Sequence, residues 1–195
     1  MQRFAILCVD QAISTQSVGV QVSLSVYSPA PHPANERERQ RAVDDSGVLR
    51  APPDPTLHRL VANTAKLLDA PMAALSIIDR ERTWFAARVG MELPETARAI
   101  SFCAHAILNP DEPLVIMDAA EDERFSGNPF VESGHGVRFY VGVPVLGPEG
   151  YPLGALCALD VKPRRQPVPL AALESLAYRA SQAIAELGRS SETLS

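Results

Sequence analysis

The sequence has no apolar run near the roughly 18 to 20 residues that a membrane-crossing helix requires. Its first apolar stretch, Met1 to Val9, is cut by Asp10 and Gln11 before it reaches the length of a secretory core. Cysteine is scarce: Cys8, Cys103 and Cys157 are an odd and widely spaced set. That excludes a disulfide framework and a zinc ribbon, and it suits a reducing, cytoplasmic setting. Positive charge is in deficit too, with 18 Lys and Arg against 23 Asp and Glu and a net charge of -5. Neither nucleic acid nor an anionic membrane surface is therefore an expected partner. What the chain does have is apolar content, 46% of 195 residues, which is enough for one good core.

The pattern divides the chain in three. Residues 1–33 read as a poorly ordered extension ending in Ser-Pro-Ala-Pro-His-Pro, although the alternation from Val18 to Val26 is able to add an edge strand. Residues 34–188 read as the domain, whose last helix is expected to stop at Gly188, and 189–195 as a polar tail, with no catalytic output module expected after it. Within the domain, Glu36 to Val43 predicts a helix that Gly47 ends in the left-handed conformation. Asp54 is a candidate N-cap for a second helix starting at Pro55, with Leu57, Leu60, Val61, Thr64, Leu67 and Leu68 as its apolar stripe.

Strands are expected at Met72 to Ile78 and Arg82 to Val89. In the second, Thr83, Phe85, Ala87 and Val89 face the core, and Trp84 lies on the wetter side, covering a sheet edge or meeting a ligand or partner. A later strand alternates Phe139, Val141, Val143 and Val145 against Tyr140, Gly142 and Pro144. Gly142 removes bulk there, so a ligand or the overlying backbone can approach closely. Its partner runs from Tyr151 to Asp160, with Leu153, Ala155, Cys157 and Leu159 on one face. A last helix carries Leu170, Leu173, Leu176, Ala177, Ala180, Ile184 and Leu187 as a stripe suited to sheet docking and to a parallel helix partner.

The residues between these strands carry the chemistry. Ser101 is a candidate N-cap for a short helix, Ser101 to Leu108. Cys103 and His105, two apart, point in different directions and do not form a nucleophilic pair. No second ligand stands at metal-binding spacing from His105. From Asp118 to Val137 no regular pattern appears, and a loop of about 20 residues in a compact domain usually has a use. Phe125 and Phe130 are expected to plug this loop to the sheet, while Asp118, Asp122, Arg124 and Arg138 form a carboxylate and guanidinium network at a pocket rim. Loop pinning by Asp118 with Arg124 explains such a network without a ligand; an Arg with a free face would hold an anionic one.

The ordered words Ser101-Phe-Cys-Ala-His-Ala-Ile107, Asp118-Ala-Ala-Glu-Asp-Glu-Arg-Phe125, Asn128-Pro-Phe-Val131, Val137-Arg-Phe-Tyr-Val-Gly-Val-Pro-Val145 and Gly154-Ala-Leu-Cys-Ala-Leu-Asp160 are joined upstream by Asn35-Glu-Arg-Glu-Arg39, Pro52-Pro-Asp-Pro55 and Asp79-Arg-Glu-Arg-Thr-Trp-Phe85. Together they closely resemble the GAF domain, in the subgroup found N-terminal in bacterial diguanylate cyclases, phosphodiesterases and sensor histidine kinases. The resemblance implies an α+β fold, profilin-like or PAS-like, with a central antiparallel sheet, helices on one face, and a long loop plus short helix roofing the other. It implies a regulatory sensory module that binds an unidentified small molecule beneath residues 101–140 and signals through terminal helices as a homodimer, with a kinase or cyclase as partner. Phe102, Cys103, His105, Asp118, Asp122, Arg124, Phe125, Arg138, Tyr140 and Gly142 are the candidate lining. No catalytic residue or metal ligand is expected.

The alternative is a ligand-free dimerisation or interaction module, in which Phe102, Phe125 and Tyr140 collapse together and fill the pocket. The chain has neither the cyclic-nucleotide signature of the family nor a cysteine between Cys103 and Cys157 to attach a bilin. A thiol-dependent free methionine sulfoxide reductase is a third reading. Cys103 falls near a catalytic position of that group, but the stretch Phe130 to Tyr140 has no thiol, so a resolving partner must come from Cys157.

Overall fold

The computed structural model describes residues 27–134 and 136–192. The edge strand foreseen at Val18 to Val26 lies outside the described residues. The helices are α1 (Glu36–Asp45), α2 (Pro55–Leu67), α3 (Phe102–Ala106), α4 (Pro129–Glu132) and α5 (Leu170–Glu192). The strands are β1 (Met72–Asp79), β2 (Arg82–Val89), β3 (Glu95–Ala97), β4 (Leu114–Ile116), β5 (Phe139–Leu146) and β6 (Pro152–Asp160). They form one sheet in the order β3-β2-β1-β6-β5-β4, antiparallel at every pairing.

Helices α1, α2 and α5 supply the buried side chains on one face of the sheet, and α3, α4 and the long loop supply those on the other. Because both faces are covered, β1 is buried along its whole length, and Met72-Ala-Ala-Leu-Ser-Ile-Ile78 is apolar throughout save Ser76, whose hydroxyl is bonded to the backbone of Ala155. The sheet is thus the α+β scaffold foreseen.

Local chemistry accounts for the helix starts and stops. The Asp54 carboxylate accepts from the backbone N–H of Thr56 at 2.7 Å and of Leu57 at 2.9 Å, a cap worth about 1 kcal/mol, with Pro55 in the position where a missing N–H costs nothing. Leu57, Leu60, Val61 and Thr64 are buried as expected, and Leu68 closes the stripe, but Leu67 is left exposed. Gly47 takes φ 69° just past α1. Gly188 does not end α5, which runs on to Glu192. A Cβ there would stand 3.1 Å from the carbonyl oxygen of Ser46, so this glycine lets α5 cross close over the end of α1. Leu173, Ala177, Ala180 and Ile184 are buried, with Leu170, Leu176 and Leu187 at the margin of the core.

Two bulges redirect side chains that strict alternation misplaces. Between β1 and β2 the register shifts so that Leu75 faces Ala87 and Ser76 faces Phe85, leaving Ala86 unpaired. Phe85 then joins the roof-side cluster while Ala87 joins the helix-side one, and Trp84 packs half-buried against the helix-side core. Between β5 and β6 the partner of Val145 is Gly154 and that of Leu146 is Pro152. Leu153 therefore turns to the helix side, away from Ala155 and Cys157. Pro144 has Ala155 of β6 as its register partner but lies beyond the three residues of β5 that β4 pairs, so on that side the strand is an edge.

An ion cluster fastens α1 to the sheet. Arg39 is fully buried, donating from Nε and Nη2 to Glu36 at 2.8 and 2.9 Å and from Nη1 to the carbonyl of Pro152 at 3.3 Å. Arg98, also buried, donates to the same Glu36 carboxylate at 2.6 and 3.2 Å and to the carbonyl of Arg80 at 3.0 Å. Burial alone would raise the Glu36 pKa, but the hydrogen bonds and charges of Arg39 and Arg98 outweigh it and hold it at about 2. Glu36→Gln leaves two buried guanidinium groups short of their counter-charge and is expected to cost roughly 2 kcal/mol near neutral pH. The folded pKa of Glu36 is depressed, so this contribution is complete above about 4.5 and fades as the pH falls toward about 2. Urea melts of both proteins across that window check it, the gap between them closing at the acid end.

Candidate functional site

The roof over the sheet is built from α3, the loop after β4 and α4. Ser101 occupies the N-cap position of α3 without capping it; its side chain makes no bond to the helix's free N–H groups. Asn128, fully buried, does cap α4, accepting from the N–H of Phe130 at 2.8 Å and donating to the carbonyl of Ile100 at 3.0 Å. One amide thus ties the long loop to the entry of α3. The loop also joins β5, where Ala119 donates to the carbonyl of Arg138 at 2.6 Å and Val137 to that of Phe130 at 2.7 Å.

Beneath the roof the aromatic rings stack. Phe102 lies on Phe125 with centroids 4.5 Å apart and planes within 7°, and on Tyr140 at 5.1 Å. His105 meets the other side of Phe125 edge-on at 4.7 Å. Phe125 and Tyr140 are wholly buried.

The room at Gly142 is taken by Tyr140, not by a ligand or by roof backbone. A Cβ built on Gly142 would stand 2.1 Å from the phenol oxygen of Tyr140. The ring folds over the glycine two residues ahead of it and donates its O–H to the sulfur of Cys103 at 3.3 Å. Burial raises the Tyr140 pKa well above its ordinary value, so the phenol keeps the proton it donates. From Cys103 the chain of contacts continues to the sulfur of Cys157 at 3.7 Å, whose thiol points at the carbonyl of Ala74 at 3.5 Å. Cys103 and Cys157 are both buried free thiols. Beside them remains a cavity of about 50 Å³, bordered by Met72, Phe85, Met91, Phe102, Tyr140 and both cysteines.

The charged residues foreseen as one network are two separate pairs. Arg138 holds Asp118 in a two-pronged bond, Nε to Oδ1 at 2.6 Å and Nη2 to Oδ2 at 2.5 Å. Arg124 holds Asp122 at 2.9 and 2.6 Å. Arg138 lowers the Asp118 pKa and Arg124 that of Asp122, the hydrogen bond in each case outweighing the cost of burial. Asp118 is not paired with Arg124; instead Asp118 and Asp122 line a separate groove of about 360 Å³ with Met117, Arg164 and Arg165. The reason is reach. Arg138, immediately before β5, meets Asp118 just past the end of β4, while Arg124 sits two residues from Asp122 in its own turn and lies 5.3 Å over the Phe125 ring.

Of the predicted lining, Phe102, Cys103 and Tyr140 border the cavity. Phe125 and His105 back it from the far side of the stack, and the four charged residues stand elsewhere. The sequence reading missed Met91 and Leu93, apolar residues of the loop after Gly90 that border the cavity. Two apolar side chains in a turn region were the available signal. It also missed Tyr27, whose hydroxyl lies 3.3 Å from Nε2 of His105. Residues 27–33 were foreseen as part of a poorly ordered extension, yet Tyr27 and Ala30 pack against the roof cluster.

Residues 52–184, well over half of the chain, match the family described as GAF domain. The chain belongs to the GAF domain family. Over 134 residues, 69% of its length, it is 39% identical to a cyclic di-GMP phosphodiesterase of Pseudomonas aeruginosa, and the match spans 23% of that protein. Among solved structures, the free methionine-R-sulfoxide reductase from Neisseria meningitidis in complex with its substrate superposes with a TM-score of 0.55 at 14% identity, over 86% of this chain and 99% of that one. The GAF domain of an Acinetobacter phosphoenolpyruvate-protein phosphotransferase does so with 0.52 at 14%, over 81% and 95%. At such identities the structural likeness shows the fold alone, and the family places this chain among the sensory modules of signalling proteins.

Among the described residues of this GAF domain, no group of three or more His, Cys, Asp or Glu side chains is placed to hold a metal. No described helix is long and apolar enough to cross a membrane. His105 is held neutral: burial lowers its pKa to about 4, with the Arg124 charge adding to the effect. The unfolded chain takes up this proton near pH 6.5 and the folded ring resists until about 4, so stability falls as the pH drops through that interval. Thermal melts at pH 7 and pH 5 are expected to show a smaller loss in His105→Gln than in the parent. Gly142→Ala drives a methyl group into the Tyr140 phenol and is expected to cost about 1–3 kcal/mol. Denaturant melts measure that cost, and an unchanged midpoint would mean that Tyr140 does not rest on Gly142.

Proposed function

We propose that this GAF module regulates a signalling partner by association, with its own aromatic side chains occupying the space beneath the roof that a small-molecule ligand would take. The observation that carries this is the Phe102, Phe125 and Tyr140 stack. The remaining cavity, about 50 Å³, falls far below the roughly 300 Å³ or more of ordinary ligand pockets. The guanidinium groups of Arg124 and Arg138, which an anionic ligand would need, are engaged by Asp122 and Asp118.

Association through the terminal helices as a homodimer is the accompanying reading. One side of α5 is committed to the sheet, while Tyr178 is 66% exposed on the other, an aromatic ring in a position where a second helix would bury it. A kinase, cyclase or phosphodiesterase of cyclic di-GMP or two-component signalling is the partner class this reading favours. Its support is the 39% identity to a segment of a cyclic di-GMP phosphodiesterase.

Sensing of a small molecule is the second reading. A ligand larger than the cavity would require Phe102 to leave the stack. The reductase reading gains a second thiol from the approach of Cys157 to Cys103. Against it, Glu92 is the single charged group among the described residues of the cavity lining, and they offer no cation to the carboxylate of a free amino-acid substrate.

Native mass spectrometry on protein purified gently from its own cytoplasm tests the proposal. A dimer without added mass is expected, and Tyr178→Glu is expected to give monomer with the thermal midpoint unchanged. A discrete extra mass on each chain would replace the association reading with the sensor.

A further inference from the structure

The mechanism proposed above makes no use of the two thiols beneath the roof. Cys103 leaves the first turn of α3 and Cys157 the middle of β6, 54 residues apart in the chain, and the fold sets their sulfurs 3.7 Å apart. No contact holds them apart: the line runs from the Tyr140 hydroxyl to Cys103, to Cys157 and to the Ala74 carbonyl, each a donor to the next.

The adjacent cavity touches both residues, and exposed Glu92, in the loop between β2 and β3, is part of the same lining. At about 50 Å³ it admits a molecule little larger than water, whose share of the liquid is about 30 Å³, and nothing the size of an amino acid. The walls carry no cation or metal cluster among the described residues, so the nucleophiles available are the two sulfurs.

We propose that Cys103 and Cys157 form a dithiol site that a small hydroperoxide, of the hydrogen peroxide class, oxidises to an internal disulfide. The Cys103 sulfur attacks one peroxide oxygen. The O–O bond breaks, an S–O bond forms, and the departing hydroxide takes the thiol proton and leaves as water. The Cys157 sulfur then attacks the Cys103 sulfur, the S–O bond breaks as the S–S bond forms, and that hydroxide takes the Cys157 proton and leaves as a second water. The two sulfurs give up the electron pair that the peroxide gains.

Cys103 is the residue to attack first. Its thiolate, once formed, accepts hydrogen bonds from the Cys157 thiol, turned from Ala74, and from the Tyr140 hydroxyl; these outweigh the cost of burial and lower its pKa, whereas that of Cys157 is raised. Closing the sulfurs from 3.7 Å to about 2 Å draws α3 toward β6. Because α3 is a single short turn that carries Phe102, the link bears directly on the aromatic stack.

The test is made on the full chain carrying Cys8→Ser, so that two cysteines remain. The reduced protein is treated with hydrogen peroxide and followed by intact mass and by non-reducing peptide mapping. The expected result is loss of the mass of two hydrogen atoms without dimer formation, and a linked pair of peptides holding Cys103 and Cys157. Adding Cys157→Ser is expected to stop the reaction at one added oxygen on Cys103, trapped by dimedone. Adding Cys103→Ser is expected to leave Cys157 reduced.

The proposal is overturned if both thiols stay reduced at a peroxide dose that oxidises a free cysteine peptide. It is equally overturned if the link forms only after unfolding, or if Cys157 is oxidised first. Should either serine variant fail to fold, the mapped link in the two-cysteine protein decides by itself. A disulfide with a native mass spectrum free of ligand leaves the association reading intact, so the two proposals fail separately.

Discussion

The site depends on one steric fact: the Tyr140 phenol lies where residue 142 has no side chain. With any larger residue at that position the ring would have to leave, and the Phe102 stack and the hydroxyl on Cys103 would go with it. The glycine permits close approach, as its place on a strand implied, but what approaches is a ring of the same strand. The pocket is occupied from within by side chains that the strand itself delivers.

Around this apolar centre, charge is used to fasten. Glu36 lies between Arg39 and Arg98, Asp118 is gripped by Arg138, Asp122 by Arg124, and Asp160 by Arg164. Arg39 pairs with Glu36 inside α1, Arg98 ties that carboxylate to the turn after β3, and the other pairs fasten or close the loops beside β4, β5 and β6. Buried guanidinium groups are tolerated because carboxylates and carbonyls surround them, as Arg39 demonstrates with Glu36 and Pro152. Pairing Arg124 with Asp122 and Arg138 with Asp118 neutralises the guanidinium groups nearest the roof, and it leaves sulfur and aromatic carbon as the surface beneath it.

The thiol pair gives that surface a chemistry of its own. Cys103 and Cys157 are as buried as structural cysteines usually are, and each fills space as a small apolar side chain. Their mutual approach is what sets them apart from inert core residues. Tyr140 connects the two aspects of the site, packing in the stack on one side and donating to the thiol on the other.

What the sequence determined by itself was everything governed by local spacing. The Asp54 cap, the left-handed Gly47, the stripe from Leu57 to Thr64 and the inward face of β5 all follow from residues within a few positions of one another. Ordered motifs made the family legible as well, because they persist in sequence whatever the packing. Alternation failed at the bulges beside Ala86 and Leu153, where one unpaired residue reverses every facing after it, and no residue type announces that reversal. Gly188 reads as a stop in sequence, but Ser46, far away in the chain, makes it a crossing point within α5. That Arg138 meets Asp118, that Arg98 meets Glu36 and that Cys157 reaches Cys103 were decided only by tertiary structure. Those contacts join segments 20 to 62 residues apart, across distances that only the assembled sheet sets.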